Sequence, residues 1–214
     1  MTDRETKKFI SIIFEKITSS NTNNDLIEIE KESFDRKYIM DSTSFPKIDF
    51  NISSTEIDEL IKSNIIDKNY NLNPLSKNSD PLIKLLYSII WKNGDLKKLK
   101  HITKGIHRDD LSIMEQEKSF VFYQFGKYLT KQENQPIIDQ HVLRAFAIYQ
   151  CDDIQEIRQI RGFKVITKKE KNLIKDYINW LSSDSINNTL KKEAEYLYYI
   201  DRILFASGRL TKKK

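Results

Sequence analysis

From Glu117 to Tyr149 the chain reads EKSFVFYQFGKYLTKQENQPIIDQHVLRAFAIY. An aromatic-rich segment through Leu129 carries Lys118 and Lys127. A polar loop, Thr130 to Gln135, follows, and the apolar run Pro136-Ile137-Ile138 leads to Asp139. A second apolar segment then runs from His141 to Tyr149. Apolar residues on both sides recur at the spacing of helices, so the stretch predicts two helices with Asp139 at the start of the second. The plain account of Asp139 is an N-cap, whose side-chain oxygen accepts a first-turn amide. The same placement serves catalysis. A carboxylate held at a helix start and walled by Ile137 and Ile138 is rigid enough to orient water or to stabilise a developing positive charge.

Upstream, residues 111–129 predict one long helix capped by Asp109 or Asp110, with an apolar stripe of Met114, Val121, Phe122, Phe125 and Leu129. Lys118 falls on that stripe. A lysine there either snorkels to the surface or is partly desolvated, with its pKa pushed down. The second case gives a nucleophilic amine near neutral pH. Lys127 lies off the stripe and reads as solvated.

Further out, residues 3–18 carry Phe9, Ile10, Ile12, Ile13, Phe14 and Ile17 among charges and predict an amphipathic helix. Ser19 to Asn24 breaks it, and Leu26 to Glu30 alternates like a short strand. The segment through Pro46 and Phe50 reads as irregular. Ser53 with Glu56 fits a capping box for a short helix ending near Ile66. Asp80-Pro81 opens a strongly apolar helix to Trp91, and Asp95 caps the next, through Ile106. After Tyr149 come a short helix beyond Asp152, another over 168–181, and a last one over 186–207. On that last helix Leu190, Ala194, Leu197, Leu204 and Gly208 form a stripe that includes Asp201. A buried aspartate needs a partner, here a helix end to cap or an arginine such as Arg144. The expectation is an all-α fold with short connections.

Composition bounds the function. The chain has 214 residues, 39% hydrophobic and 31% charged, enough for one sizeable core. No apolar run approaches the roughly 20 residues of a membrane span, and Asp3 and Glu5 argue against a secretory signal. The expected location is the cytoplasm, nucleoid-associated in a bacterium. One cysteine, Cys151, excludes a disulfide framework, and three histidines (His101, His107, His141) make a metal site unexpected. Loops of the G-x-x-x-x-G-K and G-x-G-x-x-G types are absent. Net charge is +5, and the lysines cluster at 97–104, at 164–175 and at the end, 209–214. Singly these read as solvated faces; together they fit a polyanion partner.

Taken as a unit, Pro136-Ile137-Ile138-Asp139-Gln140-His141-Val142-Leu143-Arg144 resembles the helix-hairpin-helix DNA glycosylase superfamily. There two apolar residues precede a hallmark aspartate, followed by x-His-[VI]-x-Arg. Trp91-Lys92-Asn93-Gly94-Asp95-Leu96 and residues 201–209 are similar to the bacterial branch near the 8-oxoguanine glycosylases. The resemblance spans residues 80–210. It implies a glycosylase-like domain over 76–214, preceded by a helical and irregular extension over 1–75. The family's hairpin glycines have no counterpart: residues 108–117 contain no glycine and four acidic side chains. Cysteines for an iron–sulfur cluster are missing too, so no cofactor is expected.

The resemblance implies excision of a damaged or modified base by N-glycosidic cleavage after base flipping, as in DNA repair. Asp139 matches the family's catalytic aspartate, which stabilises positive charge on the sugar. Lys118, 21 residues earlier, is the nearest match to the Schiff-base lysine of bifunctional members. Arg144, His141, Lys127, Lys104 and Lys168 are candidate DNA contacts, and Trp91 and Tyr123 candidate stacking partners for the flipped base. The expected partner is duplex DNA, bound by a monomer. The alternative is a DNA-binding protein that kept the fold and lost the chemistry, and a second is an interaction module with merely solubilising lysines.

Overall fold

The computed structural model describes residues 1–76, 79–107, 119–162 and 171–213. Among them the protein is all-α, with no strand beyond one isolated bridge between Ile66 and Leu72. In chain order the helices are α1 (Asp3–Ser19), α2 (Asn23–Ser33), α3 (Ser54–Lys62), α4 (Pro81–Lys92), α5 (Leu96–His107) and α6 (Phe120–Leu129). They continue as α7 (Gln140–Gln150), α8 (Ile154–Arg161), α9 (Lys171–Ser182), α10 (Asn188–Lys191) and α11 (Tyr196–Thr211). No helix among the described residues is long and apolar enough to cross a membrane.

The chain forms two compact units, residues 1–48 with 136–214, and residues 49–135. The boundary expected near residue 75 does not separate them. Residues 1–48 are no extension, because their apolar faces complete the core that resumes at Pro136. Ile10, Phe14 and Ile17 of α1 are fully buried. Phe14 stacks on Tyr149 of α7 with ring centroids 3.9 Å apart and lies 5.0 Å from Trp180 of α9. Phe146 and Tyr177 extend the same aromatic cluster.

The alternation Leu26 to Glu30 is helical, not extended. Thr22 and Asp25 form a capping box at the start of α2, and Leu26, Ile29 and Glu30 bury one face at helical spacing. Glu30 then receives Arg202 of α11 through two bonds of 2.9 and 2.8 Å. The single helix expected over 186–207 is two. Glu195, at φ 65°, stands in the left-handed region and separates α10 from α11. Ala194 is accordingly exposed, while Ile200, Asp201, Ile203, Leu204 and Gly208 form the buried face.

In the second unit, Ser53 and Glu56 cap α3 as expected, and the Asp80 side chain accepts the amides of Leu82 and Ile83 at the start of α4. Two glycines decide how α5 meets α6. A Cβ at Gly105 would stand 2.0 Å from the Tyr123 carbonyl oxygen, and one at Gly126 would stand 2.1 Å from that of Ile102. That contact turns α6 relative to the stripe expected from its sequence. Phe120, Tyr123, Gln124, Lys127, Tyr128 and Leu129 are buried, whereas Val121, Phe122 and Phe125 are only half-buried. α4 differs most from expectation: Leu82, Ile83, Leu85, Leu86, Ile89 and Trp91 are each 50–63% exposed, so its apolar residues are not core. His107 ties this unit together, lying 3.0 Å from both the Tyr70 hydroxyl and Asp58.

Candidate active site around Asp139

Pro136 and Ile138 are buried, so the loop into α7 is held against the core on alternate residues. Asp139 follows in extended backbone (φ −125°, ψ 155°) and caps α7, its Oδ1 accepting the His141 amide at 2.6 Å. The side chain is half-buried. Among the described residues its second oxygen, Oδ2, accepts no hydrogen bond. One oxygen thus fixes the group, and the other is without a hydrogen bond among the described residues.

One turn into α7, Arg144 is fully buried. Its Nη1 donates to the Gly208 carbonyl at 2.9 Å and lies 2.7 Å from Nδ1 of His141. A guanidinium only donates, so Nδ1 accepts and the imidazole proton sits on Nε2. Burial holds the His141 pKa below its ordinary value, the Arg144 charge acts in the same direction, and Asp139 opposes both. A hydrogen bond with the Gly208 backbone also raises it, against the burial that dominates. Burial also lowers the Arg144 pKa, with Asp139 opposing. The Phe205 ring meets His141 edge-on at 5.0 Å.

α11 reaches this arrangement backbone to backbone. A Cβ at Gly208 would fall 1.9 Å from the His141 carbonyl oxygen, so only glycine permits the approach. About two turns earlier on the same helix, Asp201 closes the frame. Its Oδ1 accepts the Tyr177 hydroxyl at 2.6 Å and its Oδ2 the Ile137 amide at 2.9 Å. Burial pushes its carboxyl up to about 7 against the pull of those two bonds, and the Asp139 charge raises it further. Burial and the neighbouring Asp201 push the Tyr177 hydroxyl well above its usual range.

The structure brings Asp139, His141 and Arg144 together within one unit. Arg144 is not placed as a surface DNA contact, because its guanidinium is spent inside the core. Nor is it the partner that takes the Asp201 hydrogen bonds; those come from Tyr177 and Ile137. Lys104, Trp91, Tyr123 and Lys127 belong to the other unit. There Lys104 is half-buried on α5, and Trp91 is 63% exposed. Tyr123 is a fully buried core residue rather than an open stacking surface, and Lys127, expected in solvent, is buried 6.0 Å over its ring. Lys118 and Lys168 lie outside the described residues. Sequence reasoning missed Tyr177, whose hydroxyl has no pattern to betray it. It also missed Lys212, whose charge acts on His141. Asp201 was visible as a polar residue in an apolar stripe, but its partners were not.

No group of three His, Cys, Asp or Glu side chains among the described residues could hold a metal ion. Compared with protein-family models, with curated proteins and with solved structures, the chain matches none of them.

Proposed function

We propose that this protein is a DNA glycosylase that excises a damaged or modified base, with Asp139 as its catalytic carboxylate. The observation that carries the reading is the state of that side chain. It is half-buried, fixed through Oδ1 to the His141 amide, and among the described residues its Oδ2 accepts no hydrogen bond. The resemblance of residues 136–144 to the helix-hairpin-helix glycosylase motif supports it, and the basic clusters at 97–104, 164–175 and 209–214 fit a polyanionic substrate.

Hydrolytic excision breaks the bond between the anomeric carbon and the base nitrogen. The bonding pair leaves with the base, whose nitrogen takes up a proton from solvent, and positive charge builds on the sugar. Asp139 stabilises that charge and accepts a proton from the water that adds to the anomeric carbon, giving free base and an abasic site. His141, beside Asp139 on the first turn of α7, is placed to donate from its ring to a phosphate or sugar oxygen. Lys118 is the candidate for an alternative attack through its amine, which displaces the base and leaves a Schiff base.

A panel of duplexes, each with one modified base, tests the reading through alkali cleavage at abasic sites. Excision on at least one duplex, lost in Asp139→Asn with duplex binding retained, is the expected result. Undiminished excision by Asp139→Asn removes the assignment. Borohydride trapping on an accepted substrate decides whether Lys118 forms a covalent intermediate. Salt-dependent duplex binding with no abasic site on any duplex leaves the second reading, a DNA-binding protein without chemistry, which the missing hairpin glycines of residues 108–117 favour.

A further inference from the structure

Asp139 stands two residues beyond Ile137, and the place of that short loop is decided inside the core. The Ile137 amide donates to Asp201 Oδ2 at 2.9 Å, and the Tyr177 hydroxyl donates to Oδ1 at 2.6 Å. One carboxyl therefore joins α9, α11 and the loop into α7. Both side chains are deeply buried, with Asp201 5% and Tyr177 0% exposed. Ile138 is 2% exposed and pins the next residue. Asp139 is then where the loop turns out of the core.

An acid in this place is costly. Burial opposes its charge, as its raised carboxyl pKa records, and an apolar residue on the same face of α11 would pack without that cost. What the carboxyl adds is two acceptors at a fixed separation. One is taken by a rigid phenol, the other by the backbone that carries Asp139. Tyr177 cannot swing away, because its ring is packed 5.2 Å from Phe146 and 6.0 Å from Trp180.

We propose that Asp201 is the positioning residue of this site: Tyr177 orients its carboxyl, the carboxyl holds the Ile137 amide, and Ile137 sets where the Asp139 carboxylate meets the sugar. The proposal rests on the reading of Asp139 as the excision group. It differs from a merely structural role in its address. A structural aspartate would hold α9 to α11; a positioning one governs the cap at His141.

The test combines residue-resolved amide hydrogen exchange with single-turnover base release on the full chain. The proteins are wild type, Asp201→Ala, Asp201→Asn and Tyr177→Phe, with Asp139→Asn as the chemical control. In Asp201→Ala, exchange at the Ile137 and His141 amides rises about tenfold or more, while Ile203 within α11 changes by less than about threefold. Base release slows by roughly 10–100-fold at unchanged duplex affinity. Asp201→Asn keeps an acceptor for Ile137 and restores most of both. Tyr177→Phe, which leaves the carboxyl unoriented, falls between them and carries the test should Asp201→Ala not fold. Unchanged His141 exchange in the folded variants overturns the proposal whatever the activity. An equal rise along α9 and α11 also overturns it. Absence of base release by the wild type removes the reading of Asp139 as the excision group, while exchange at His141 still decides whether Asp201 positions it.

Discussion

The Gly208 carbonyl accepts a 2.9 Å hydrogen bond from the buried Arg144 guanidinium, at the point where α11 passes within a bare backbone's reach of His141. The two contacts depend on each other. Without a side chain at Gly208 the helices close until the carbonyl is in range of Arg144; with Arg144 present, that carbonyl is satisfied although buried. Gly208→Ala places a methyl where the His141 carbonyl oxygen stands. It should lower the unfolding free energy by roughly 2–4 kcal/mol in denaturant melts. An equal loss is expected for Gly126→Ala, which meets the Ile102 carbonyl oxygen at 2.1 Å.

Arg144 and Lys104 separate two kinds of basic residue. Lys104 is half-buried on α5, whereas Arg144 is fully buried. On the proposed DNA-binding function, Lys104→Ala should reduce the slope of log affinity against log salt by about 1. Arg144→Lys should leave that slope unchanged. It should instead cost about 3 kcal/mol of stability, since a lysine cannot reproduce the paired contacts to Gly208 and His141. Salt titrations of duplex binding and urea melts on the same two variants read both effects.

On the proposed function, Asp139 allows the cap to be separated from the chemistry. Asparagine caps about as well as aspartate, so Asp139→Asn should melt close to the wild type while losing base release by about a hundredfold or more. Asp139→Ala loses both functions, with a stability cost of about 1 kcal/mol. Equal stability of the alanine and wild-type proteins would show that the 2.6 Å bond to the His141 amide contributes little.

Asp201 makes stability fall with rising pH. Its carboxyl is raised in the folded protein from an ordinary 3.8 to about 7, so over that interval the unfolded chain loses its proton while the folded protein keeps it. The contribution is fully present below about pH 4, declines as pH rises and is gone above about pH 7. Its size is on the order of 4 kcal/mol by the free-energy equivalent of the shift. The lowered pKa of His141 acts in the opposite sense: its contribution is present above pH 6.5 and lost as pH falls through the folded value. Unfolding of Asp201→Asn between pH 4 and 8 isolates the first effect. The asparagine variant should gain on the wild type steadily toward pH 8, and a constant difference across that range would refute the assignment.

Glu30 and Arg202 hold α2 to α11 through a paired contact of 2.9 and 2.8 Å, with side chains only 11% and 20% exposed. The pairing raises the arginine pKa above its ordinary value. Removing the carboxylate in Glu30→Ala leaves the largely enclosed guanidinium without its counter-charge, with the Tyr198 hydroxyl as a remaining acceptor, and should cost about 3 kcal/mol. Thermal melts should show the double variant Glu30→Ala/Arg202→Met recovering part of that loss.

Much of the local structure was legible in the chain. Ser53 with Glu56, Asp80 with Pro81, and Asp139 after two isoleucines each named a helix start, because capping is settled by residues within three or four positions. The short alternation at Leu26 was too brief to distinguish strand from helix, and the Thr22–Asp25 box decided it. Lys127 shows the other limit. Its apolar neighbours suggested a solvent-facing position, but which side of a helix is buried depends on what packs against it. Here that was Gly105 of α5.

By itself, then, the sequence determined an all-α protein and the start of the helix that Asp139 caps, since both follow from periodicity and short-range hydrogen bonding. Tertiary structure decided the rest. It made residues 1–48 part of the core that resumes at Pro136, buried Arg144 against Gly208, and brought Tyr177 and Asp201 to the Ile137 amide. Those contacts join residues tens of positions apart. Their geometry comes from helix crossings set by backbone approach and side-chain volume, which no local pattern encodes.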